Sequence, residues 1–227
     1  GMHTAPGVPL NAFALRPGPM LAAADRFEIE IEGKGAHAAK PHLGIDTVAV
    51  GCHLVQAMQT VVSRNVDPLE SAVLSITMFH AGDAMNVIPQ TGKLAGTVRT
   101  LKKEVQALVV KRMQAICEAT GQAFDARVRL NYSYGYPVTV NHADQTAFAA
   151  GVARSVAGAD SVDTGVPPTM GAEDFSYMLE ARPGAFIFLG TGDGEMCHHP
   201  GYKFNDAIIP HGVSYMARIV ETAMPIG

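Results

Sequence analysis

At 227 residues, with 48% hydrophobic and 17% charged residues and a formal net charge of −4, the chain has the composition of an ordinary globular protein, long enough for one large domain or two small ones. No basic excess points to nucleic acid, and no apolar run approaches the roughly 18 residues needed to span a bilayer. Cys52, Cys117 and Cys197 are odd in number and scattered, which suits reduced thiols in a cytoplasmic protein better than a disulfide framework.

In chain order, the run spaced by Pro6, Pro9, Pro17 and Pro19 reads as extended connecting chain. From Arg26 to Gly33, Phe27, Ile29 and Ile31 alternate with Glu28, Glu30 and Glu32, the two-residue period of a half-buried strand. A helix is expected over about 45–62, with Ile45, Val48, Cys52, Val55 and Val62 on one stripe and Asp46 in its first turn. Strands Ser71–Phe79 and Gly92–Thr100 follow, joined by a loop with Gly82-Asp83 and Asn86 to Pro89. A helix over about 102–120 places Val105, Leu108, Val109, Met113 and Ile116 together. Gly121 is read as its end, and an alternating strand begins at Phe124. The order is βαββαβ, the ferredoxin-like split βαβ plan, spanning residues 24–134.

Beyond Tyr136-Pro137 the rhythm changes. Asn141 is read as the cap of a helix running to about Ala157 with Phe148, Val152 and Val156 inward, and Glu173-Asp174 as the start of a short helix. Ala185 to Leu189 is a continuous apolar run suited to a strand buried on both faces, and a helix over about 208–223 closes the chain. The expected class is α/β, in which residues 1–23 and 135–227 form one interrupted and incomplete α/β layer and the βαββαβ unit is inserted between them.

Several clusters could carry chemistry. His37, in the small-residue loop GKGAHAAKPH just past a strand end, could exchange a proton with a closely approaching ligand, or could be a solvated loop histidine. Cys197-His198-His199-Pro200 could supply a metal ligand, though adjacent histidines on extended chain point apart, so only one would serve a given site. The preceding Gly190, Gly192 and Gly194 are spaced GxGxG, with neither the following helix nor the acidic partner of a dinucleotide site, and that reading is rejected. Asn86 and Arg99, if brought together, would suit a carboxylate; alternatively they are a turn amide and a solvated cation. Glu173 and Asp174 could be helix-start acids, and His3 alone says nothing.

Taken together, GMHTAPG, RPGPMLAAADRFEIEIEGKGAHAAKPHLGID, VSRNVDPL, HAGDAMNVIP, GTVRT, VPPTMGAEDFSYML and HHPGYKFND resemble the hippurate hydrolase and N-acyl-amino-acid amidohydrolase branch of the aminoacylase/carboxypeptidase metallohydrolases, over essentially the whole chain. The resemblance implies a di-metal catalytic domain holding divalent ions such as Zn, Mn, Co or Ni, an inserted lid that also forms a homodimer, and hydrolysis of the amide between an acyl group and an amino acid. It implies that His3 and His198 are metal ligands and that His37 holds the scissile carbonyl oxygen, often across the dimer. Asn86 and Arg99 would face the substrate carboxylate, and Glu173 would lie near the site. Lys203 stands where the family usually has an acid, and Ala36 where it usually has Gly. The family's remaining ligands and its general-base Glu come from HACGHD-like and PAEEGGGG-like segments upstream of His3, so the chain resembles the C-terminal part of such an enzyme. Two readings follow: a metal-dependent amidohydrolase by lineage, or a non-catalytic lid and dimerisation module when taken alone.

Overall fold

The first twenty-one residues are strands and turns rather than connecting chain. In the computed structural model, which describes residues 1–225, Met2–Ala5 (β1), Phe13–Ala14 (β2) and Gly18–Leu21 (β3) are extended and paired. Their prolines and the left-handed residues Gly7, Asn11 and Gly18 mark the turns between them. The strands are two to four residues long and show no buried-exposed alternation, so no period is legible in them.

The chain then builds the first of two compact units, residues Ala22–Val138 with Met170–Ala172. Its elements are Ala23–Glu32 (β4), Ala36–His37 (β5), Thr47–Asn65 (α1), Ala72–Ala81 (β6), Val87–Ile88 (β7), Thr91–Thr100 (β8), Lys103–Ala123 (α2) and Arg127–Tyr136 (β9). The long strands form one antiparallel sheet in the order β6-β8-β4-β9, and β5 pairs with β7 as a separate two-stranded ribbon. One sheet face buries Phe27, Ile29, Ile31, Leu94 and Val98 against both helices. The other carries Glu28 and Glu32, which pair with Lys93 and Arg127 at 2.8 and 3.6 Å. These exposed pairs add little stability and chiefly keep the face wet.

Two expectations about the helices need correction. Asp46 caps α1, accepting from the Val48 and Ala49 amides at 2.9 and 3.3 Å. The buried stripe is Thr47, Val50, Gly51, Leu54, Met58 and Val61, which leaves Val48 and Cys52 exposed. The neighbouring stripe is the one that packs into the core, with Val50, Leu54, Met58 and Val61 against the sheet, while the Phe79 ring lies over Gly51. α2 runs through Gly121 to Ala123, and the left-handed turn that releases the chain into β9 falls at Asp125, with φ 54°.

A buried carboxylate ties this unit together. Asp25, at the start of β4, is 1% exposed. Its Oδ2 accepts from Gln106 Nε2 on α2 and the Tyr132 hydroxyl on β9, both at 2.6 Å, and its Oδ1 accepts from the Gly135 amide at 3.0 Å. Burial first, then the hydrogen bond to Asp25, pushes the Tyr132 hydroxyl well above the ordinary tyrosine range, so it remains a donor.

The second unit comprises Gly1–Leu21, Thr139–Thr169 and the chain from Glu173 onward. It adds Thr139–Asn141 (β10), Ala143–Ala157 (α3), Val162–Asp163 (β11), Phe175–Ala181 (α4), Ile187–Gly190 (β12) and Ile209–Ala223 (α5). Its sheet runs β1-β12-β2-β11, with β1 parallel to β12 and β11 parallel to β2, and β3 pairs separately with β10. Phe13, Leu15, Ile187 and Leu189 pack against Ala149, Ala150, Val152 and Ala153 of α3 and Tyr215 of α5. Asn141 does not cap α3. It is buried in β10, donating to the Arg16 and Phe186 carbonyls at 2.9 Å and accepting from the Phe186 amide at 2.7 Å, and so stitches three segments together. Phe148 faces out rather than in, because the seam of α3 is filled by small alanines. Among the described residues no helix is long and apolar enough to cross a membrane.

Candidate functional site

The ribbon of β5 and β7 fixes His37. Its backbone pairs with Val87, and the next residue's amide, Ala38, donates to the Asn86 carbonyl at 2.9 Å, so His37 and Asn86 share one exposed ribbon. The Ala39 amide donates to His37 Nδ1 at 3.0 Å. An imidazole nitrogen that accepts cannot carry the proton, so the neutral ring holds it on Nε2. His37 therefore presents an N–H donor, the form that can bind a carbonyl oxygen or a developing oxyanion. Beside the ribbon opens a broad concavity of about 1460 Å³ whose lining includes His80, Asp83, Lys93 and Arg129, none of which the sequence singled out. These residues come from three strands and a loop, and only the register of the sheet unites them.

Arg99 does not join that group within the chain. It lies near the far end of β8, and at roughly 3.3 Å per residue the eight steps from Thr91 carry it on the order of 25 Å along the strand. There its Nη1 donates to the Val98 and Asp25 carbonyls at 3.0 and 3.4 Å, and the side chain is half-buried. The juxtaposition of Asn86 and Arg99 is thus not made by one copy. The intervening residues run the length of a strand instead of turning back.

In the other unit, His3 lies on β1, opposite Phe188 of β12, and is exposed. A ring nitrogen facing a carbonyl must donate, so Nδ1–H donates to the Thr4 carbonyl at 2.6 Å and the Nε2 lone pair is left available. That is the tautomer of a metal ligand held by an outer hydrogen bond. The loop after β12 lies against the turn before β2: the Gly192 amide donates to the Val8 carbonyl and the Gly7 amide to the Gly192 carbonyl, both at 3.0 Å. A Cβ at Gly190 would collide with the Pro9 carbonyl, so that glycine permits a backbone crossing.

The two adjacent histidines differ. His199 Nδ1 accepts from the Gly201 amide at 3.1 Å, which puts the proton of its neutral ring on Nε2, whereas His198 sits exposed at φ 73°. Glu173 precedes α4 rather than starting it. Its Oε1 accepts from the Asp174 amide at 3.1 Å, a local bond that leaves the half-buried carboxylate beside the helix start.

Among the described residues no group of three or more His, Cys, Asp and Glu side chains could hold a metal ion. A hydrolytic site needs about three protein ligands for each ion, so the donors of this chain do not by themselves fit one.

The profile of peptidase family M20/M25/M40 matches residues 1–222. N-acetyl-L-cysteine deacetylase of Bacillus subtilis (strain 168) is 40% identical over 210 residues, which cover 92% of this chain and 50% of that protein. Hippurate hydrolase of Campylobacter jejuni is 34% identical over 219 residues, covering 96% and 57%. Among solved structures, a Bacillus subtilis protein described as a dinuclear metal binding peptidase from the M20 family superposes with a TM-score of 0.82 at 28% identity, over 98% of this chain and 56% of that one. The chain spans about half the length of the relatives it matches. By this match along nearly all of its described length, the chain belongs to peptidase family M20/M25/M40.

Proposed function

We propose that the chain forms the substrate-orienting portion of a metal-dependent amidohydrolase that cleaves the amide of N-acyl amino acids. The observation that carries this reading is the tautomer of His37, whose Ala39 contact leaves an exposed Nε2–H donor on the ribbon that also holds Asn86. Such a donor suits the scissile carbonyl oxygen, and it strengthens as negative charge develops there. Asn86 and Arg99 serve the substrate carboxylate. Because one copy holds them far apart, the reading uses a homodimer in which residues from two copies meet. β6 is an edge strand with the exposed residues Met78 and Phe79, which makes it the element through which the sheet would extend.

His3 and His198 supply two donors toward a divalent ion such as Zn, Mn, Co or Ni, fewer than the roughly three that each ion of a hydrolytic centre takes. Glu173 serves as a further polar contact for substrate. The lack of a three-ligand cluster among the described residues favours a second reading for the chain alone, as a non-catalytic lid and dimerisation module.

A chimaera tests the first reading, with residues 1–222 of this chain replacing the matching stretch of the B. subtilis N-acetyl-L-cysteine deacetylase. Metal-dependent hydrolysis of N-acyl amino acids that falls on His37→Ala supports it. A folded, metal-loaded chimaera without turnover sinks it.

A further inference from the structure

β5 and β7 are two residues each and pair antiparallel, with Ala36 opposite Ile88 and His37 opposite Val87. Directly opposed residues of an antiparallel pair project from the same face, their Cβ atoms about 4.5–5.5 Å apart, and successive residues project from opposite faces. Ala36 and Ile88 therefore share the inner face of the ribbon, where Ile88 is 7% exposed, and His37 and Val87 share the outer one, where Val87 is 51% exposed. Burial of Ile88 anchors the short strand. Val87 leaves half its surface wet, and it stands directly across the ribbon from the imidazole. Further exposed apolar side chains flank the pair: Leu43, in the helical turn Pro41–Leu43 that packs on β5, and Met85, just ahead of Asn86.

An N-acyl amino acid is asymmetric about its scissile carbonyl. One side bears the acyl group, uncharged in a simple amide, and the other bears the amide nitrogen, which leads to the carboxylate. A side chain without hydrogen-bonding capacity suits the uncharged side, because a carboxylate set against it loses hydration and gains no partner. Branching at Cβ also places the bulk of a valine close to its backbone, where it narrows the space beside a carbonyl held by His37 Nε2–H. We propose that Val87 is a specificity-determining residue that touches the acyl group of the substrate and favours small apolar acyl groups over bulky ones. The proposal rests on the amidohydrolase reading given above and adds which end of the substrate this face of the ribbon reads.

The chimaera described above is assayed with the N-acetyl and N-benzoyl forms of one amino acid, and with the N-acetyl forms of several amino acids. Val87→Ala should raise the benzoyl-to-acetyl ratio of kcat/KM about three- to tenfold and Val87→Phe should lower it by a similar factor; the roughly 10–200-fold that a closed pocket yields for each methylene is an upper bound here, because Val87 is half exposed. Ratios among the N-acetyl amino acids should stay unchanged. Both variants should keep the wild-type circular dichroism, and Leu69→Ala, at an exposed apolar residue in the loop between α1 and β6, should leave every ratio as it was. Turnover that depends on His37 but shows a benzoyl-to-acetyl ratio indifferent to both variants overturns the Val87 assignment alone. A change confined to the amino-acid series does the same, because Val87 then faces the leaving side. Loss of all turnover in the parent chimaera, or turnover indifferent to His37→Ala, overturns the amidohydrolase reading and the assignment with it.

Discussion

Replacing Asp25 by Ala is expected to destabilise the sheet unit by about 3 kcal/mol. The carboxylate accepts three hydrogen bonds, from Gln106, Tyr132 and Gly135, at 2.6, 2.6 and 3.0 Å. Bonds to a charged acceptor contribute about 1.5–3 kcal/mol each. Two effects reduce their sum: Gln106 and Tyr132 are half-buried and Gly135 is exposed, so water replaces part of what is lost, and removing the charge also removes its desolvation penalty. Asn at the same position should be milder, near 1–2 kcal/mol, because Tyr132 and Gln106 can both turn to accept from its amide while its oxygen still meets the Gly135 N–H. Urea unfolding of each variant, followed by far-ultraviolet circular dichroism, measures the differences. With a slope of about 2 kcal/mol per molar for a domain of this size, the Ala midpoint should drop by about 1.5 M. An Ala variant within about 0.5 kcal/mol of wild type, the scale of a surface change, or an Asn variant less stable than Ala, would refute the reasoning.

In the chimaera, His37→Ala should lower kcat about 100- to 1000-fold with a smaller change in KM, as removal of one oxyanion donor does; steady-state kinetics on N-acetylcysteine would show it. Arg99→Lys should raise KM about tenfold through loss of the planar fork, and unchanged KM would remove Arg99 from carboxylate recognition. Stability should fall as pH rises from about 9 to 12. Burial pushes the Cys117 thiol and the Tyr215 hydroxyl each up to about 12, so the folded state keeps protons that the unfolded chain releases. That stability is fully present below the unfolded values and is lost as pH climbs through the folded ones, at about 1.4 kcal/mol for each tenfold difference in proton affinity between the two states. Flat thermal midpoints across that range would contradict it. Sedimentation of the chain at high concentration should show a dimer, weakened by Thr77→Pro on edge strand β6.

What can be read from residues alone tracks how local the determining interactions are. The alternation from Phe27 to Glu32 and the apolar spacing from Val105 to Met113 locate β4 and α2, because a helix or strand packed against one core writes its period into the sequence. β1 and β2 escape such a reading because they are only four and two residues long, too short to show a period, leaving only the turn residues visible. The α1 stripe is ambiguous because two neighbouring stripes are both apolar, and only packing against the sheet, which takes Val50, Leu54, Met58 and Val61 into the core, decides between them. For the site, residue type and setting pick out His37 and the Cys197-His198-His199 run, whereas His3 gains a role only through the family resemblance. The hydrogen bonds that set the ring tautomers of His3 and His37 are backbone contacts invisible to spacing, and although the strand holding Arg99 is legible, its sequence does not say whether that strand brings Arg99 toward Asn86 or carries it away.

The pairing of β1 with β12 has a consequence for how the molecule assembles. The Gly1 amino group donates to the Ala185 carbonyl at 2.9 Å across 184 residues of sequence, so this sheet closes one of the longest loops the chain allows. The chain leaves for the sheet unit at Leu21 and returns at Thr139, which are themselves paired. If that unit collapses first, through contacts internal to 22–138, the effective loop shrinks to less than half, and each halving lowers the closure penalty by about 0.6 kcal/mol. The inserted unit would then act as a clamp that brings β1 into reach of β12, making the order of folding sequential. Pulsed hydrogen exchange should find β4 and β8 protected before β1 and β12, and simultaneous protection of all four strands would exclude that order.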